Sequence, residues 1–201
     1  MANGKVITGY SKPYVAKYTA VGSAVTYSNG MPLARGVDVE ISVETADDNK
    51  FYADNAVAET APAAFRSGTM KLTVDGLKDA ARRLLEGLGE PQTVTVGERT
   101  VNVDDYGQSA RPPYVGIGVI IRYQEDGVET YAPLVLTKAR FPAQNTSAKT
   151  QGDNIEWQTQ ELNGSLHRDD TAAHNWKRLA EDQTSEEDAE AVLKALLNIP
   201  A

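Results

Sequence analysis

Cysteine is absent from the chain, which excludes disulfides, thiolate nucleophiles and sulfur-ligated zinc or iron–sulfur clusters. No apolar run approaches the roughly 18 to 20 residues that cross a bilayer. The first residues also lack the apolar centre of a secretory signal. We therefore expect a soluble, unprocessed protein that is made and folded in a cytoplasm and has no membrane partner.

Basic charge is also scarce. The chain has 20 Lys and Arg residues against 28 Asp and Glu residues, and its formal net charge is -8. The basic residues form no clustered stripe, which a protein that grips nucleic acid by its phosphates needs. The acids are interspersed with bases except for one run at 181–190, which is typical of a solvated helix face. Stable binding to nucleic acid is not expected.

The sequence offers no constellation of residues that carries chemistry. His167 and His174 are the only histidines, and they stand too far apart for a metal pair on one helix or turn. The Asp-Asp pairs at 47–48 and 104–105 lack the interleaved oxygen ligands and the glycine of a calcium loop, and they are typical of turns. No GxSxG, HExxH or phosphate-loop motif occurs. We expect no enzyme: no catalytic residue, no metal and no cofactor.

Alternating, extended sequence is what the chain does contain. The segment 37–45 alternates apolar with polar residues and predicts a half-buried strand with an acidic outer face. The aromatic strand KFYAD at 50–54 follows a turn cluster, so we expect these two strands to form a hairpin. The Ala-rich segment 55–65 predicts an ordered loop, and 70–74 another strand. TVTV and TVNV flank Gly97-Glu98 and predict a second, small hairpin.

Two amphipathic helices are predicted. The first runs over 76–88, with Asp75 as its cap and Gly87 near its end. The second opens at Ser185, with Asp188 three residues later in a capping-box arrangement. Because this helix is too short to be stable alone in water, its apolar stripe is expected to dock on the chain's own body or on a partner.

The longest extended sequence begins at Tyr114. Two apolar-rich strands join at 126–127, and a third strand is expected around Trp157 after a polar, Gln-rich loop. Gly116 and Gly118 leave one face of the first strand bare, which lets another backbone or side chain approach closely. A chain that invests so many residues in strands, without a nucleophile or a phosphate loop among them, is expected to build a surface.

These strands carry a family resemblance. YVGIGVIIRYQEDGVETYAPLVLTKARF, followed by a polar spacer and TQGDNIEWQTQELNGSLHRDD, resembles the C-terminal half of the major tail proteins, or tail tube proteins, of long-tailed, non-contractile bacteriophages. NKFYADNAVAET resembles the segment that these proteins carry just after their first long strand, and the order of elements agrees. The resemblance covers residues 33–170 and rests on a pattern of phrases. The first 30 residues and the helix after Asp170 find no counterpart.

The resemblance implies a mainly β fold. A β-sandwich or barrel-like tail tube domain would occupy 33–170, with the helix 76–88 on its flank and a long β-hairpin within it. Residues 1–32 would form an N-terminal arm, and 171–201 a C-terminal extension with the short amphipathic helix. The implied function is structural: stacked hexameric rings polymerise into the tail tube of the virion, the conduit through which genomic DNA is ejected into the host. Assembly would take place in the host bacterial cytoplasm.

The resemblance also implies the partners. The chain would bind copies of itself head to tail, together with tape-measure, distal tail and tail terminator proteins, and DNA would pass transiently and without sequence preference. A lumen that repels phosphates lets DNA slide without sticking. Asp38, Glu40 and Glu44 alternate on one polar strand face and are candidate lumen-facing acids. The other interpretation of this face is an ordinary solvated surface.

Contacts between stacked rings are expected in three segments, 5–27, 54–65 and 142–153, which are too long or too apolar to be idle loops. Such segments would be mobile in a free monomer and would order against the adjacent ring.

The alternative function is a β-sandwich module that binds carbohydrate or a host surface. Trp157, Tyr123 and Tyr131 would then form a planar aromatic platform, whereas in a tube subunit they would lie in the core or between subunits.

Overall fold

The computed structural model describes residues 4–61, 63–152 and 156–200. The chain is mainly β, as predicted, with one large antiparallel sheet, two separate hairpins and two helices. Neither helix of the described residues is long and apolar enough to cross a membrane. The elements are β1 (Val6–Val21), β2 (Ala24–Pro32), β3 (Gly36–Thr45), β4 (Asn49–Ala53), β5 (Ala56–Ala61), β6 (Phe65–Val74), α1 (Asp79–Glu86), β7 (Gln92–Val96), β8 (Arg99–Val103), β9 (Val115–Glu125), β10 (Val128–Arg140), β11 (Gln160–His167), β12 (Lys177–Leu179) and α2 (Glu186–Leu196).

The large sheet has the strand order β2-β1-β9-β10-β11-β6-β3, and the short β12 pairs with β10 beside it. It folds over so that β1 approaches β3 and β6. The hydroxyl of Tyr10 lies within hydrogen-bond distance of two main-chain carbonyl oxygens, those of Asp38 (3.1 Å) and Thr73 (3.0 Å). The sheet is therefore barrel-like, and its concave side encloses the main core.

Alternation within the strands fills this core. Val115, Ile117 and Val119 of β9 are fully buried on the concave side, as the period-two pattern predicts. Leu72 of β6 and Leu162 of β11 meet them from the opposite half of the sheet. The apolar face of α1 packs against the same cluster, so this helix flanks the large sheet.

The convex side of β9 holds a second core beneath α2. A Cβ atom at Gly118 would lie 2.7 Å from Cδ1 of Leu193, and one at Gly116 would meet Tyr27 and Leu197. Leu193 and Leu197 are fully buried there. The bare strand face predicted from the two glycines is thus confirmed, and the group that approaches it is the C-terminal helix of the same chain.

Residues 4–32 do not form a separate arm. β1 lies inside the sheet, between β2 and β9, and Val15 and Ala16 are fully buried. The described part of 5–27 is therefore ordered within a single chain, because its backbone is paired along most of its length. The C-terminal segment likewise packs on the sheet through α2.

The pairing of the strand 37–45 was wrongly predicted. β3 pairs with β6. β4 forms a hairpin with β5 instead, and β5 lies in the segment 55–65 that was expected to be a loop. Asp54 and Asn55 make the turn, both with positive φ, which is the backbone of the tightest hairpin connections. The small hairpin around 97–98 is confirmed as β7–β8.

Helix α1 is shorter than the predicted span of 76–88, and Lys78 stands at its N-terminal cap without a capping side chain. Asp75 accepts hydrogen bonds from Arg35 instead, including one from the main-chain nitrogen at 2.9 Å. Gly87, which the sequence places near the end of the helix, ends it in the left-handed conformation. The third strand of the long segment was expected around Trp157, but β11 begins later, at Gln160. Residues 153–155 lie outside the described part.

Candidate functional site

The convex face of β3, β6 and β11 is polar, and no helix or strand of the described residues packs on it, in contrast to the neighbouring face beneath α2. Ser67, Thr69 and Lys71 of β6 stand between the acidic strand β3 and the polar residues of β11. Alternation produces this surface, because every second residue of these strands faces away from the core. On these three strands its acidic and basic side chains are Asp38, Glu40, Glu44, Lys71 and Glu161. Four carboxylates against one basic group leave the face net negative.

Lys71 organises the middle of this polar face. Its Nζ lies 2.8 Å from Oε2 of Glu161, and this contact raises the pKa of Lys71. The nearby carboxylates of Glu40 and Asp38 also raise the pKa of Lys71. The same ion pair lowers the pKa of Glu161, helped by a hydrogen bond from Asn163 at 2.9 Å. The face thus holds one neutralised pair beside a row of exposed acids.

The three candidate lumen acids lie on this face, as the strand pattern predicts. Asp38, Glu40 and Glu44 are all exposed. Glu44 accepts a hydrogen bond from Ser67 Oγ at 2.8 Å. The carboxylates follow β3 and form an acidic border, interrupted by Ser42, at one end of the sheet.

The two end strands of the sheet differ in charge. β2 has nine residues and no charged side chain, whereas β3 has ten residues and an acidic convex face. The end of α2 reaches β2, where Asn198 Nδ2 donates to the carbonyl oxygen of Tyr27 at 3.1 Å and Ile199 packs on Gly30. Within the described residues, β1 is the only strand that pairs with β2, and β6 the only one that pairs with β3. Each of the two strands therefore has one edge with which no described strand pairs.

A cleft of about 840 Å³ crosses the polar face at β6 and β11. Its lining includes Lys71 and Asn163 from the strands and Pro112 and Pro142 from the neighbouring loops. Arg140 also lines it, while its Nε donates to the carbonyl oxygen of Pro112 at 3.0 Å. The cleft belongs to the same surface as the acidic border.

The two hairpins β4–β5 and β7–β8 lie off the main sheet, and sequence reasoning identified only part of the first as a contact surface. Val96 is 57% exposed and Phe51 is 64% exposed. The alternation of Thr with Val in TVTV and TVNV was the available signal, because it gives the second hairpin one apolar face. Residues 54–61 of the predicted stacking segment fall on the first hairpin.

The histidines and Asp104 make contacts within the chain. His167 contacts Ser165 Oγ at 3.0 Å, and burial lowers its pKa, as do two nearby basic groups. His174 contacts the carbonyl oxygen of Asp169 instead, through Nδ1 at 3.1 Å. Asp104 is held by Arg82 and Arg83, each at 2.7 Å. Among the described residues no group of three or more His, Cys, Asp or Glu side chains could hold a metal ion.

The three aromatic residues of the alternative function do not share one platform. Tyr123 packs against the main core and Tyr131 against the second core beneath α2, so the two tyrosines lie on opposite faces of the sheet. Trp157 lies in the loop before β11 and is 88% exposed.

Comparison of the sequence with models of known protein families finds no match, and comparison with curated proteins finds no significant relative.

Proposed function

We propose that this chain is the structural subunit of a bacteriophage tail tube. Copies join edge to edge into hexameric rings, and the rings stack into a hollow tube through which genomic DNA leaves the virion. The observation that carries the proposal is the pair of unlike free edges, uncharged β2 and acidic β3, at the two ends of one sheet. The likeness of residues 33–170 to tail tube proteins supplies the ring number and the stacking.

Charge favours pairing between unlike edges. If β3 of one copy paired with β3 of another, acidic side chains would stand opposite each other, which is destabilising. Pairing between β2 and β3 avoids this repulsion and joins strands of nearly equal length. Such a contact is heterologous, and a heterologous contact generates a closed ring when its rotation closes. Each free edge of the monomer is then covered by a neighbour.

The polar convex face is the surface we assign to the lumen. Asp38, Glu40 and Glu44 would repel DNA phosphates, so that DNA passes without binding. In the virion the tube would meet tape-measure protein inside, and distal tail and terminator proteins at its ends. The whole assembly is built in the host cytoplasm.

Nuclease protection tests the lumen assignment. Tubes are assembled from a variant with three reversed charges, Asp38→Lys, Glu40→Lys and Glu44→Lys, and mixed with a short DNA duplex. We expect this duplex to be retained in a salt-dependent manner and protected from nuclease, because basic residues inside a tube hold DNA where the enzyme cannot reach it.

The matched control reverses three exposed charges elsewhere, Glu125→Lys, Glu181→Lys and Glu187→Lys. We expect DNA bound to these tubes to be digested. Equal protection in both variants, or protection in the control alone, would place the three acids of β3 outside the lumen.

The cleft of about 840 Å³ favours a second candidate function, binding of a carbohydrate or host-surface ligand. Its lining combines apolar walls with polar groups such as Lys71 and Asn163, which is typical of ligand sites. A glycan screen with wild type and Asn163→Ala would show binding that depends on Asn163 if this function holds. Absence of any bound glycan would refute it.

A further inference from the structure

Two hairpins of the chain lie off the main sheet and do not pair with its strands. β4–β5 and β7–β8 each form a two-stranded sheet of their own. An isolated hairpin is only marginally stable in water and needs a further surface to pack against. Both hairpins nevertheless expose apolar side chains, including Val94, Val96 and Val101 at 47%, 57% and 46%. Their exposed faces are therefore left uncovered by the described residues of one copy.

The apolar residues of β7–β8 share one face. Val94 stands opposite Val101 and Val96 opposite Arg99, and side chains directly opposite each other lie on the same side of a hairpin. Val103 belongs to this side as well, by alternation with Val101. We call this surface the valine face; the guanidinium of Arg99 lies at its end near the turn.

The hairpin β4–β5 offers a complementary surface. Phe51 stands directly opposite Glu59, so an exposed ring and an exposed carboxylate are side by side. We call this pair the phenylalanine face. Within the described part of the chain, neither Glu59 nor Arg99 forms an ion pair.

We propose that the valine face of one copy docks on the phenylalanine face of the next copy. Val96 packs against Phe51, while Arg99 reaches both the ring of Phe51 and the carboxylate of Glu59. A guanidinium is attracted to the face of an aromatic ring and to a carboxylate, so one side chain satisfies both partners. The contact rests on the proposed function, because it names the surfaces through which copies in adjacent rings meet.

The size of the faces fits a repeated contact. Five residues of strand span about 17 Å, so two such faces together bury a few hundred Å², well below the roughly 1,200 Å² of a stable interface. A single contact is therefore too weak to hold a dimer. Repetition around a ring raises the total affinity, since contacts after the first form within one assembly. The two faces differ, so the contact is heterologous and leaves free faces for further copies.

Disulfide cross-linking tests this contact directly, because the chain has no cysteine of its own. Two variants are prepared, Phe51→Cys and Val96→Cys, and oxidised under mild conditions, separately and mixed, at high protein concentration. A disulfide requires Cα atoms roughly 4.4 to 6.8 Å apart. We expect covalent dimers chiefly in the mixture, and a ladder of multimers from a chain that carries both substitutions.

The other outcomes separate this contact from the tube itself. Dimers of Val96→Cys alone, at the yield of the mixture, would show that valine faces pair with each other and would overturn the proposal. Absence of cross-links under conditions in which wild type forms tubes would also overturn it and leave the proposed function standing. Absence of both cross-links and tubes would refute both.

Charge exchange tests the role of Arg99. In the cross-linking mixture, Arg99→Glu on the Val96→Cys chain is expected to lower the yield about two- to fivefold, the effect of one exposed ion pair. Glu59→Arg on the Phe51→Cys chain should do the same, and the two together should restore the yield. Glu181→Arg, at an exposed position away from both hairpins, is the control and should change nothing. Failure of the paired exchange to restore the yield would refute the assigned ion pair.

Discussion

Replacement of Glu190 by glutamine tests whether charge holds α2 on the sheet. The carboxylate of Glu190 accepts a hydrogen bond from the hydroxyl of Tyr14, and Lys12 and Lys194 lie 2.9 Å and 3.1 Å from its oxygens. Its side chain is only 16% exposed. The hydrogen bond from Tyr14, followed by those from the two lysines, lowers the pKa of Glu190 from 4.5 to about 2.

The sign of the effect follows from this lowered pKa. A carboxyl group with a lower pKa in the folded than in the unfolded state stabilises the fold above its unfolded pKa, and the contribution is lost as the pH falls through the folded pKa. The difference between 4.5 and about 2 corresponds to about 3 kcal/mol, at about 1.4 kcal/mol per pH unit. Solvent around Lys12 screens the pair, so we expect roughly 1–2 kcal/mol.

Urea unfolding of dilute protein, followed by far-ultraviolet circular dichroism, measures the effect. At pH 7 the Glu190→Gln variant should be less stable than wild type by roughly 1–2 kcal/mol, and at pH 3 less than half of this deficit should remain. Glu187→Gln is the control, because Glu187 is exposed on the same helix, and it should change stability by less than about 0.5 kcal/mol. An equal loss of stability for Glu190→Gln at both pH values would refute the conclusion that the charge of Glu190 holds α2 on the sheet.

Three further substitutions test the packing. Gly87→Ala should destabilise the fold by about 2–3 kcal/mol in urea unfolding, because φ at Gly87 is +65° and a Cβ atom would clash with the carbonyl of Arg111. Gly89→Ala is the control and should be near neutral, because a Cβ atom at Gly89 would lie in open space. Equal effects of the two substitutions would refute the clash. Leu193→Ala removes a fully buried side chain and should cost about 2–5 kcal/mol in unfolding free energy; a loss under 1 kcal/mol would mean that α2 is not firmly docked. Ser185→Ala removes the cap of α2 and should cost about 1 kcal/mol, with faster amide exchange in the first turn; unchanged exchange would contradict the cap.

Short sequence patterns predicted the parts of the fold that depend on residues close together in the chain. Alternation placed Val115 and Ile117 on a buried face, and the glycines at 116 and 118 indicated that something packs opposite. The cap at Ser185 was readable from Asp188 three residues later, and the main-chain nitrogen of Asp188 does donate to the Ser185 hydroxyl. Each of these signals depends on a few adjacent positions.

Strand pairing was less predictable, since it depends on residues far apart in the chain. Nothing local indicates that β3 pairs with β6 rather than with β4, and β1 joins β9 across more than ninety residues. The signal for the hairpin β4–β5 was present in Asp54-Asn55, two residues that tolerate positive φ, but the Ala-rich composition favoured a loop. The polar face was predictable for β3 alone, because β6 and β11 join it only in the folded sheet.

Negative-stain electron microscopy of the purified protein, concentrated over a range of salt, tests the central claim most directly. The account predicts six-fold rings or hollow tubes with a regular repeat. A protein that stays monomeric at every concentration and salt, with its monomer fold intact, would contradict it.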